Sequence, residues 1–504
     1  MAHGRRQARP RGVRPADAAK EPMSSSMTST PSAGSWRELL GSRYAPVAAV
    51  LAGGVLLEAS NVYLTTSLLP TIVADIGGAE FYAWTMTMFL LASVISSMLV
   101  SRVLTRQGAV RAYLLALGLF ALGSLLCAAS PWMAALLVGR AVQGLGGGLL
   151  AGLGYALIQR ALPERLWARG AALVSAMWGV GNLVGPVVGG IFAQLDAWRV
   201  TFVGLAVVSA LIGVVVVRAL PRTTRTRSGD PVPWASLVLL AGGVAAVGVA
   251  SVVPTGIATG VALVVGAALG LWFLRHERRG RVGILPRVTF APGSSLGWVY
   301  LTVAILAFGI GTEAFIPLFG QQIGGLMPFV AGLLGAALSL GWSVTQMFTA
   351  NATGIRSRRV LITLGPLTVA LGLAAYGLLQ QAGPSVFVVA LWFVTLFVAG
   401  AGIGLGFPHL TVAALGSTRD DEEGAKAAAA VNTVFLIASA FSAALAGVLV
   451  NLAVPDLVGS ARLLMLTFAV VSVLGVMLAR GASWGIGIGA TEESDVGQNR
   501  SVAP

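Results

Sequence analysis

Charged residues are scarce in this sequence: they account for 10% of the 504 residues, whereas hydrophobic residues account for 56%. A water-soluble chain of this length needs a far larger charged surface, so the composition excludes a soluble globular protein. A helix needs about 20 apolar residues to span the roughly 30 Å hydrocarbon core of a bilayer. Apolar runs of that length recur along the chain and predict an all-α membrane protein.

Cysteine and histidine are nearly absent, with one cysteine and three histidines in the whole chain. Cys127 lies inside an apolar run, and His3, His276 and His409 are far apart in the sequence. A disulfide framework or a metal cluster needs several such residues at suitable spacings, so we expect neither. The chain also lacks a nucleophile and histidine constellation and a nucleotide-binding loop. We therefore expect no enzyme activity, no cofactor and no direct coupling to ATP.

Lysine supplies only two of the 33 basic residues, a bias that points to a GC-rich bacterial genome. For a soluble protein the net charge of +14 would suggest a nucleic-acid partner. Here the positive charge is distributed according to the topology of the apolar runs. If the N-terminus lies inside, all of the basic residues except Arg140, Arg199 and Arg462 fall on the cytoplasmic side or at its helix ends. The positive-inside rule then predicts a multi-pass protein of the cell (plasma) membrane with both termini in the cytoplasm and no nucleic-acid partner.

Fourteen apolar runs lie between residues 46 and 480, the second over about 80–101 and the ninth over about 294–320. Two sets of six runs flank an inserted pair at 234–274. We therefore predict two pseudo-symmetric six-helix bundles plus an inserted two-helix hairpin, with 14 transmembrane helices. The segments are a disordered cytoplasmic tail at 1–45, the N-terminal bundle at 46–220, basic linkers with the hairpin at 221–292, the C-terminal bundle at 293–482 and a cytoplasmic tail at 483–504.

The two bundles share an internal sequence repeat. Leu69-Pro70 recurs as Ile316-Pro317, and Ile76-Gly77-Gly78 recurs as Ile323-Gly324-Gly325, both displaced by 247 residues without a gap. Arg111 likewise recurs as Arg358. Duplicated halves around a central site are typical of secondary transporters.

The first apolar run carries an acid, Glu58, well inside it. An ionised acid at the centre of a membrane helix costs roughly 2.5 to 3.5 kcal/mol on insertion scales, so it should face a protein-lined interior rather than lipid. Glu58, Asn61 and Thr65 follow one another at i, i+3 and i+7, which places three polar side chains on one helical face. This pattern indicates the wall of a cavity. The alternative is a single buried acid that neighbouring helices satisfy.

Glycines in the fifth apolar run repeat every four residues, a spacing that lets another helix backbone approach closely. This run resembles the antiporter motif of the major facilitator superfamily. Arg140-x-x-Gln143-Gly144-x-Gly146 is similar to a second signature of that family, and Leu69-Pro70 resembles the end of its first-helix signature. The antiporter-like motif consists of Gly181, Gly185, Pro186, Gly189 and Gly190.

The resemblance covers about residues 46–480, and the inserted hairpin points to the fourteen-helix drug/proton antiporter branch of the family. It implies alternating access, in which two halves rock around a midplane cavity, and export in exchange for protons. Asn61 occupies a position where the family usually has Asp, with Glu58 one turn earlier. The loop after the second helix keeps Arg106 and Gly108 but has Thr105 in place of the family's Asp, so we expect a weakened charge lock there.

Of the 19 acidic residues, only Glu58 and Glu313 lie well inside apolar runs. Desolvation favours the neutral form of a carboxyl group, and a nearby cation favours its charged form. Our hypothesis is that Glu58, together with Asn61, takes a proton from outside and releases it inside, while Arg140 lowers its proton affinity in one conformation. For Arg140 the alternative is a structural role, in which it pairs with carbonyls at helix ends.

Glu313 is a candidate second acid or a binding group for a cationic substrate, and the alternative is that it meets water in an outer vestibule. Trp178 and Phe315 are candidates to line a cavity for lipophilic substrates, with packing as the alternative.

These features favour a monomeric secondary active transporter whose partners are a small-molecule substrate, protons and the lipid bilayer. Few polar groups are available to line a cavity, which favours lipophilic or cationic cargo, as in multidrug efflux. One alternative is a transporter of the same fold that moves a lipid, a natural product or a nutrient. Another is a non-transporting membrane scaffold or sensor, which would not need Glu58.

Overall fold

The computed structural model describes residues 1, 35–220, 232–280, 283–349, 352, 354–417 and 421–499. Within these ranges all the regular structure is helical, as the sequence predicts. Most of the expected N-terminal tail, residues 2–34, and the basic linker at 221–231 lie outside the described residues.

The N-terminal part of the described chain, here called the N-half, contains a run of helices that ends near residue 220. They are α1 (Trp36–Leu39), α2 (Ala45–Ile76), α3 (Tyr82–Ser97), α4 (Val100–Gln107), α5 (Ala109–Ala128), α6 (Met133–Ala156), α7 (Ile158–Ala161), α8 (Glu164–Gln194) and α9 (Trp198–Ala219).

The helix α2 carries Glu58 near its middle, and its limits follow from local chemistry. Pro46 lies in its first turn, where a missing backbone N–H does no harm. The helix stops at Gly77, whose φ of 70° is readily adopted only by glycine. The 32 residues between these limits include Pro70, which the helix accommodates without a break.

The inserted hairpin and the C-terminal part, here called the C-half, follow. The hairpin consists of α10 (Trp234–Val249) and α11 (Ile257–Arg279). The C-half consists of α12 (Leu296–Gly311), α13 (Ile316–Gln322), α14 (Pro328–Thr349), α15 (Ile355–Leu378), α16 (Val386–Leu415), α17 (Asp421–Ala453) and α18 (Leu457–Asn499).

Thirteen of the described helical stretches are long and apolar enough to cross a bilayer, counting α12 and α13 as one stretch. The remaining candidate is α10, which has 16 residues. At 1.5 Å per residue it is about 24 Å long, shorter than the roughly 30 Å core of a bilayer. The prediction of fourteen spans thus rests on this shorter helix.

The structure differs from the sequence prediction in three details. The ninth run, expected to be one helix, is interrupted at residues 312–315 between α12 and α13. The second run, expected over 80–101, ends as a helix at Ser97, and a separate helix α4 begins at Val100. The expected tail at 1–45 contains the helix α1. Its Glu38 carboxylate pairs with Arg165 of α8, with an Nη2 to Oε1 distance of 2.6 Å.

Each half has its own hydrophobic core. The N-half core runs from Leu39 to Leu220, whereas the C-half core runs from Leu296 to Ala482 and includes four residues from α2 and α3. The halves meet along two seams, where α3 packs against α17 and α8 packs against α14. Successive long helices run in opposite directions, so the ends of the bundle are named here by α2: the Ala45 end and the Ile76 end.

Candidate functional site

Glu58 lies in the interior of the N-half with only 3% of its surface exposed. Its side chain occupies space left by a glycine of α6: a methyl group on Gly147 would lie 3.1 Å from Glu58 Cγ and 3.0 Å from Phe89 Cζ. Glu58 Oε2 is buried and has no hydrogen-bond partner among the described residues. An acid in such a position carries a proton more readily than a charge, because burial of an unpaired carboxylate is costly.

Arg140 of α6 is fully buried and is held by three acceptors. Its Nε donates to the Thr85 carbonyl at 3.2 Å, and its Nη1 donates to Asn61 Oδ1 at 3.3 Å and to Gln143 Oε1. Its guanidinium carbon lies 4.3 Å from the centroid of the Phe89 ring. Its Nη2 is buried without a partner among the described residues.

The three residues predicted to couple protons are therefore close together, but Glu58 and Arg140 do not form a direct ion pair. Asn61 contacts Arg140 directly. No hydrogen bond or ion pair joins Glu58 to Arg140 within the described part of the chain, and each keeps one polar atom without a partner. The carbonyl of Thr85, which Arg140 contacts, lies in the first turn of α3, so part of its bonding matches the structural alternative.

Glu313 lies in the interruption between α12 and α13 and is 3% exposed. The Ser339 hydroxyl of α14 donates a hydrogen bond to Glu313 Oε1. Tyr63 of α2 lies close enough to interact electrostatically with both Glu313 and Glu58. Interrupted helices near the middle of the membrane form the substrate or ion sites of many transporters. Here the N–H groups of Thr312, Glu313 and Phe315 each donate to a carbonyl three residues earlier, so the interruption is a tight turn.

The two candidate aromatic residues occupy different environments. Phe315 is 2% exposed, and its ring stacks on Tyr82 of α3 at a centroid distance of 5.0 Å and on Phe319 at 6.1 Å. It therefore packs across the two halves in this conformation instead of lining an open cavity. Trp178 is half-buried on α8 and packs against the N-half core.

The glycines of the antiporter-like motif bring α8 into backbone contact with two other helices. A methyl group on Gly181 would lie 2.6 Å from Ala59 Cβ, and one on Gly185 would lie 2.7 Å from the Ser60 carbonyl oxygen. Gly189 is similarly close to Leu64 of α2, whereas Gly190 faces Phe329 of α14. The motif thus joins the Glu58 helix to α8 and joins α8 to the C-half. Pro186, inside α8, has its carbonyl next to Gly332 of α14.

The loop residues singled out from the sequence lie apart from this site. Arg106 is exposed in the last turn of α4, and Gly108 ends that helix with a φ of 76°. Thr105 donates its hydroxyl hydrogen bonds to carbonyls of its own helix, at Ser101 and Arg102. A threonine bonded in this way offers no charge to a partner helix.

Sequence reasoning missed several members of the site. Gln143 appears in the quoted motif without a role, yet it accepts from Arg140 and donates to the Ser124 hydroxyl at 2.7 Å. Its position three residues after Arg140 on one helix could have indicated this contact. Phe89 and Ser339 carry no comparable signal, because buried phenylalanine and serine are common in membrane helices. No group of three or more potential metal ligands occurs among the described residues.

The arrangement combines a buried acid with an unpaired oxygen, a buried cation and a second acid at a helix break. The sequence model of the major facilitator superfamily matches residues 51–443. The chain is a member of the major facilitator superfamily. As a member of this family it is a membrane transporter and not an enzyme, and the family resemblance drawn from the motifs is confirmed.

Two comparisons with other bacterial proteins add detail. The chain is 44% identical over 459 residues to a probable multidrug-efflux transporter of Mycobacterium tuberculosis, an alignment that covers 90% of this chain and 97% of the relative. It is 23% identical over 379 residues to multidrug resistance protein 3 of Bacillus subtilis, covering 72% of this chain and 71% of that protein.

Solved structures of the superfamily show the same fold. A D-xylose–proton symporter superposes with a TM-score of 0.62 at 16% identity, covering 87% of this chain and 97% of the symporter. A POT family transporter in complex with a thioalcohol-conjugated peptide superposes with a TM-score of 0.65 at 16% identity, covering 88% and 96%.

Proposed function

We propose that this transporter exports lipophilic or cationic small molecules in exchange for protons, and that Glu58 is the group that carries the proton. The observation that supports this best is the buried Glu58 carboxyl, whose Oε2 has no partner among the described residues although a buried arginine lies in the same bundle. A fixed ion pair would hold its charge permanently, whereas an unpaired acid can gain and lose a proton. The probable multidrug-efflux relative supports the class of substrate.

The direction of exchange depends on the orientation in the membrane. The basic residues cluster at the Ala45 end, which is therefore the cytoplasmic end by the positive-inside rule, with both termini inside. The Ile76 end is tightly packed: Gly190 lies against Phe329, and Asn451 Nδ2 donates to the Glu80 carbonyl at 3.4 Å. These contacts support a conformation that is closed to the outside, and we propose that the transporter works as a monomer in the plasma membrane.

Arg140 and Asn61 act together with Glu58 in this proposal. In this conformation Arg140 bonds to Asn61, Gln143 and Thr85, so its charge does not stabilise the Glu58 carboxylate directly. A conformation that brings the guanidinium to Glu58 would favour release of the proton. The proton and the drug would then use alternate states of one cavity.

Glu313 and a cluster of rings supply the substrate side of the proposal. Ser339 donates a hydrogen bond to one oxygen of Glu313, but no basic side chain pairs with this acid among the described residues. Trp342, Phe407 and Phe435 pack together, with ring centroids between 5.2 and 5.8 Å apart. A buried acid and a cluster of rings are suited to bind cationic and lipophilic molecules.

The test uses purified transporter in proteoliposomes with an imposed pH gradient and a fluorescent lipophilic cation. We expect Glu58→Gln to abolish gradient-driven transport, because glutamine keeps the shape of the side chain but cannot carry the proton. Glu80→Gln is the matched control, since this exposed acid lies outside the site and should transport like the wild type. Proton-driven transport that persists in Glu58→Gln would end the proposal. A fully inactive wild type, unable to move any substrate, would instead support a scaffold or sensor.

A further inference from the structure

Phe89 of α3 occupies the space between the two embedded charges of the N-half. It is completely buried, and the Arg140 guanidinium carbon lies over its ring at 4.3 Å from the centroid. The edge of the same ring and Glu58 Cγ both border the small space above Gly147, at 3.0 and 3.1 Å from the point where a methyl group would be. The ring thus has the cation on its face and the acid at its edge.

The separation of the charges is costly on both sides. Arg140 Nη2 and Glu58 Oε2 are buried without partners among the described residues, and an unpaired buried polar atom is destabilising. Pairing the two groups would satisfy both atoms. Hydrogen bonds to Thr85, Asn61 and Gln143 hold the guanidinium away from the carboxyl in this conformation. The Phe89 ring adds to them, because an aromatic face within about 6 Å attracts a cation.

We propose that Phe89 is a positioning residue for proton exchange: its ring holds the Arg140 guanidinium by its face and fills the space beside Glu58, keeping the two charges apart. This inference rests on the proposed role of Glu58. Gly147 contributes to this arrangement, because the lack of a side chain leaves room for both the edge of the Phe89 ring and Glu58.

A rotation of the Phe89 side chain would change its contact with Arg140 without a shift of its helix. The Phe89 carbonyl packs directly against Gly144 of α6, where a methyl group could not fit. One turn further along α3, the Ser93 hydroxyl donates to the Gly144 carbonyl at 3.0 Å. These contacts hold α3 to α6, the helix that carries Arg140.

Glu313, in the turn before α13, is the other acid of this region, because Tyr63 of α2 lies close to both it and Glu58. The remaining ionisable groups around the pair are phenols and a thiol. Tyr63 and Tyr155 interact electrostatically with Glu58, and Cys127 interacts with Arg140. Phenol and thiol groups titrate in the alkaline range in water, so they contribute no charge near pH 7. The charged side chains of the N-half helices that pack on α2 or α6 lie in terminal turns or short helices: Arg102, Arg106, Arg111, Arg160, Glu164, Arg165, Arg169, Arg199 and Arg218. The C-half helices α13 and α14, which also pack on α2, carry none.

The experiment measures proton-driven transport in proteoliposomes as a function of pH. Phe89→Leu removes the aromatic face while nearly keeping the volume. In Phe89→Leu we expect the pH of half-maximal transport to fall by about one unit, since an approaching cation makes Glu58 harder to protonate. Phe202→Leu, the same change at a buried position that packs on Trp198, is the matched control and should leave the profile unshifted.

Two further measurements separate the possible causes. In an Arg140→Gln background, adding Phe89→Leu should cause no further shift, because the cation that the ring holds is gone. If Phe89→Leu does not fold, Phe89→Met removes the ring with an unbranched side chain and answers the same question. An unshifted pH profile in Phe89→Leu or Phe89→Met, with Glu58→Gln inactive, would overturn the role of Phe89 alone. An active Glu58→Gln would instead overturn the proton role of Glu58.

Discussion

The first helices of the two halves descend from the same repeat, yet they hold their acids in different ways. In the N-half, α2 runs unbroken for 32 residues, and Glu58 lies in the same bundle as a buried arginine. In the C-half, the matching helix is interrupted at residues 312–315, and Glu313 lies in the break with a serine as its partner. This difference fits the proposed roles, in which Glu58 exchanges a proton near a cation and Glu313 meets a positively charged molecule.

Local sequence explains why only one of the two helices breaks. Pro70 and Pro317 occupy equivalent positions of the repeat, and a proline destabilises the turn that precedes it. In the C-half this turn follows Gly309 and Gly311, and each glycine lowers helix stability by roughly 1 kcal/mol relative to alanine. The equivalent residues of α2 are Val62 and Leu64, which keep the helix intact despite its proline.

Among the substitutions that test this difference between the two acids, Glu313→Gln should have the largest effect. We expect the KM for a cationic substrate to rise about tenfold, the loss of one charged contact, while proton-driven transport of a neutral lipophilic substrate continues. Glu58→Gln should stop transport of both. The measurement is the initial rate of both substrates in proteoliposomes, with Glu80→Gln as the control. Equal loss of both substrates in Glu313→Gln would mean that Glu313 is a second proton carrier.

A smaller effect concerns how firmly α2 is held. Gly185→Ala would place a methyl group 2.7 Å from the Ser60 carbonyl oxygen and 2.8 Å from Tyr63 Cβ, so α2 and α8 must separate. We expect a loss of about 1 to 3 kcal/mol in stability, the usual cost of overpacking, together with reduced transport. Gly204→Ala in α9 is the control, because no atom lies within 4 Å of its added methyl group. Thermal unfolding in detergent should separate the two, and equal midpoints would show that the close contact does not constrain α2.

The smallest effect involves the ion pair outside the membrane-spanning segments. The hydrogen bond from Arg165 lowers the pKa of the partly exposed Glu38 carboxyl. The stabilisation is therefore complete above the ordinary carboxyl pKa and is lost as the pH falls through the lowered one. Glu38→Gln should therefore speed hydrogen exchange of the α1 amides at neutral pH and match the wild type in acid. Transport should not change. If the exchange rates of Glu38→Gln equal those of the wild type at both pH values, the pair does not hold α1.

Much of this architecture follows from the sequence, because long apolar runs and the positions of proline and glycine determine where membrane helices begin and end. The prediction that Asn61 and Arg140 belong to one site agrees with their direct contact, and the fold class and family are confirmed. The break at Glu313 was not predicted, because the repeat implied two equal helices. The place of Phe89 could not be read from the sequence, since its importance comes from packing between α2 and α6 and not from its residue type.

The end of the inserted helix α10 has a consequence for how the transporter moves. The Gly248 carbonyl accepts from Trp84 Nε1 of the N-half at 3.0 Å, and the Ser251 carbonyl accepts from Asn451 Nδ2 of the C-half at 2.8 Å. When α3 and α17 part at the Ile76 end, the hairpin can keep only one of these bonds. The bond that survives therefore decides which half the hairpin accompanies.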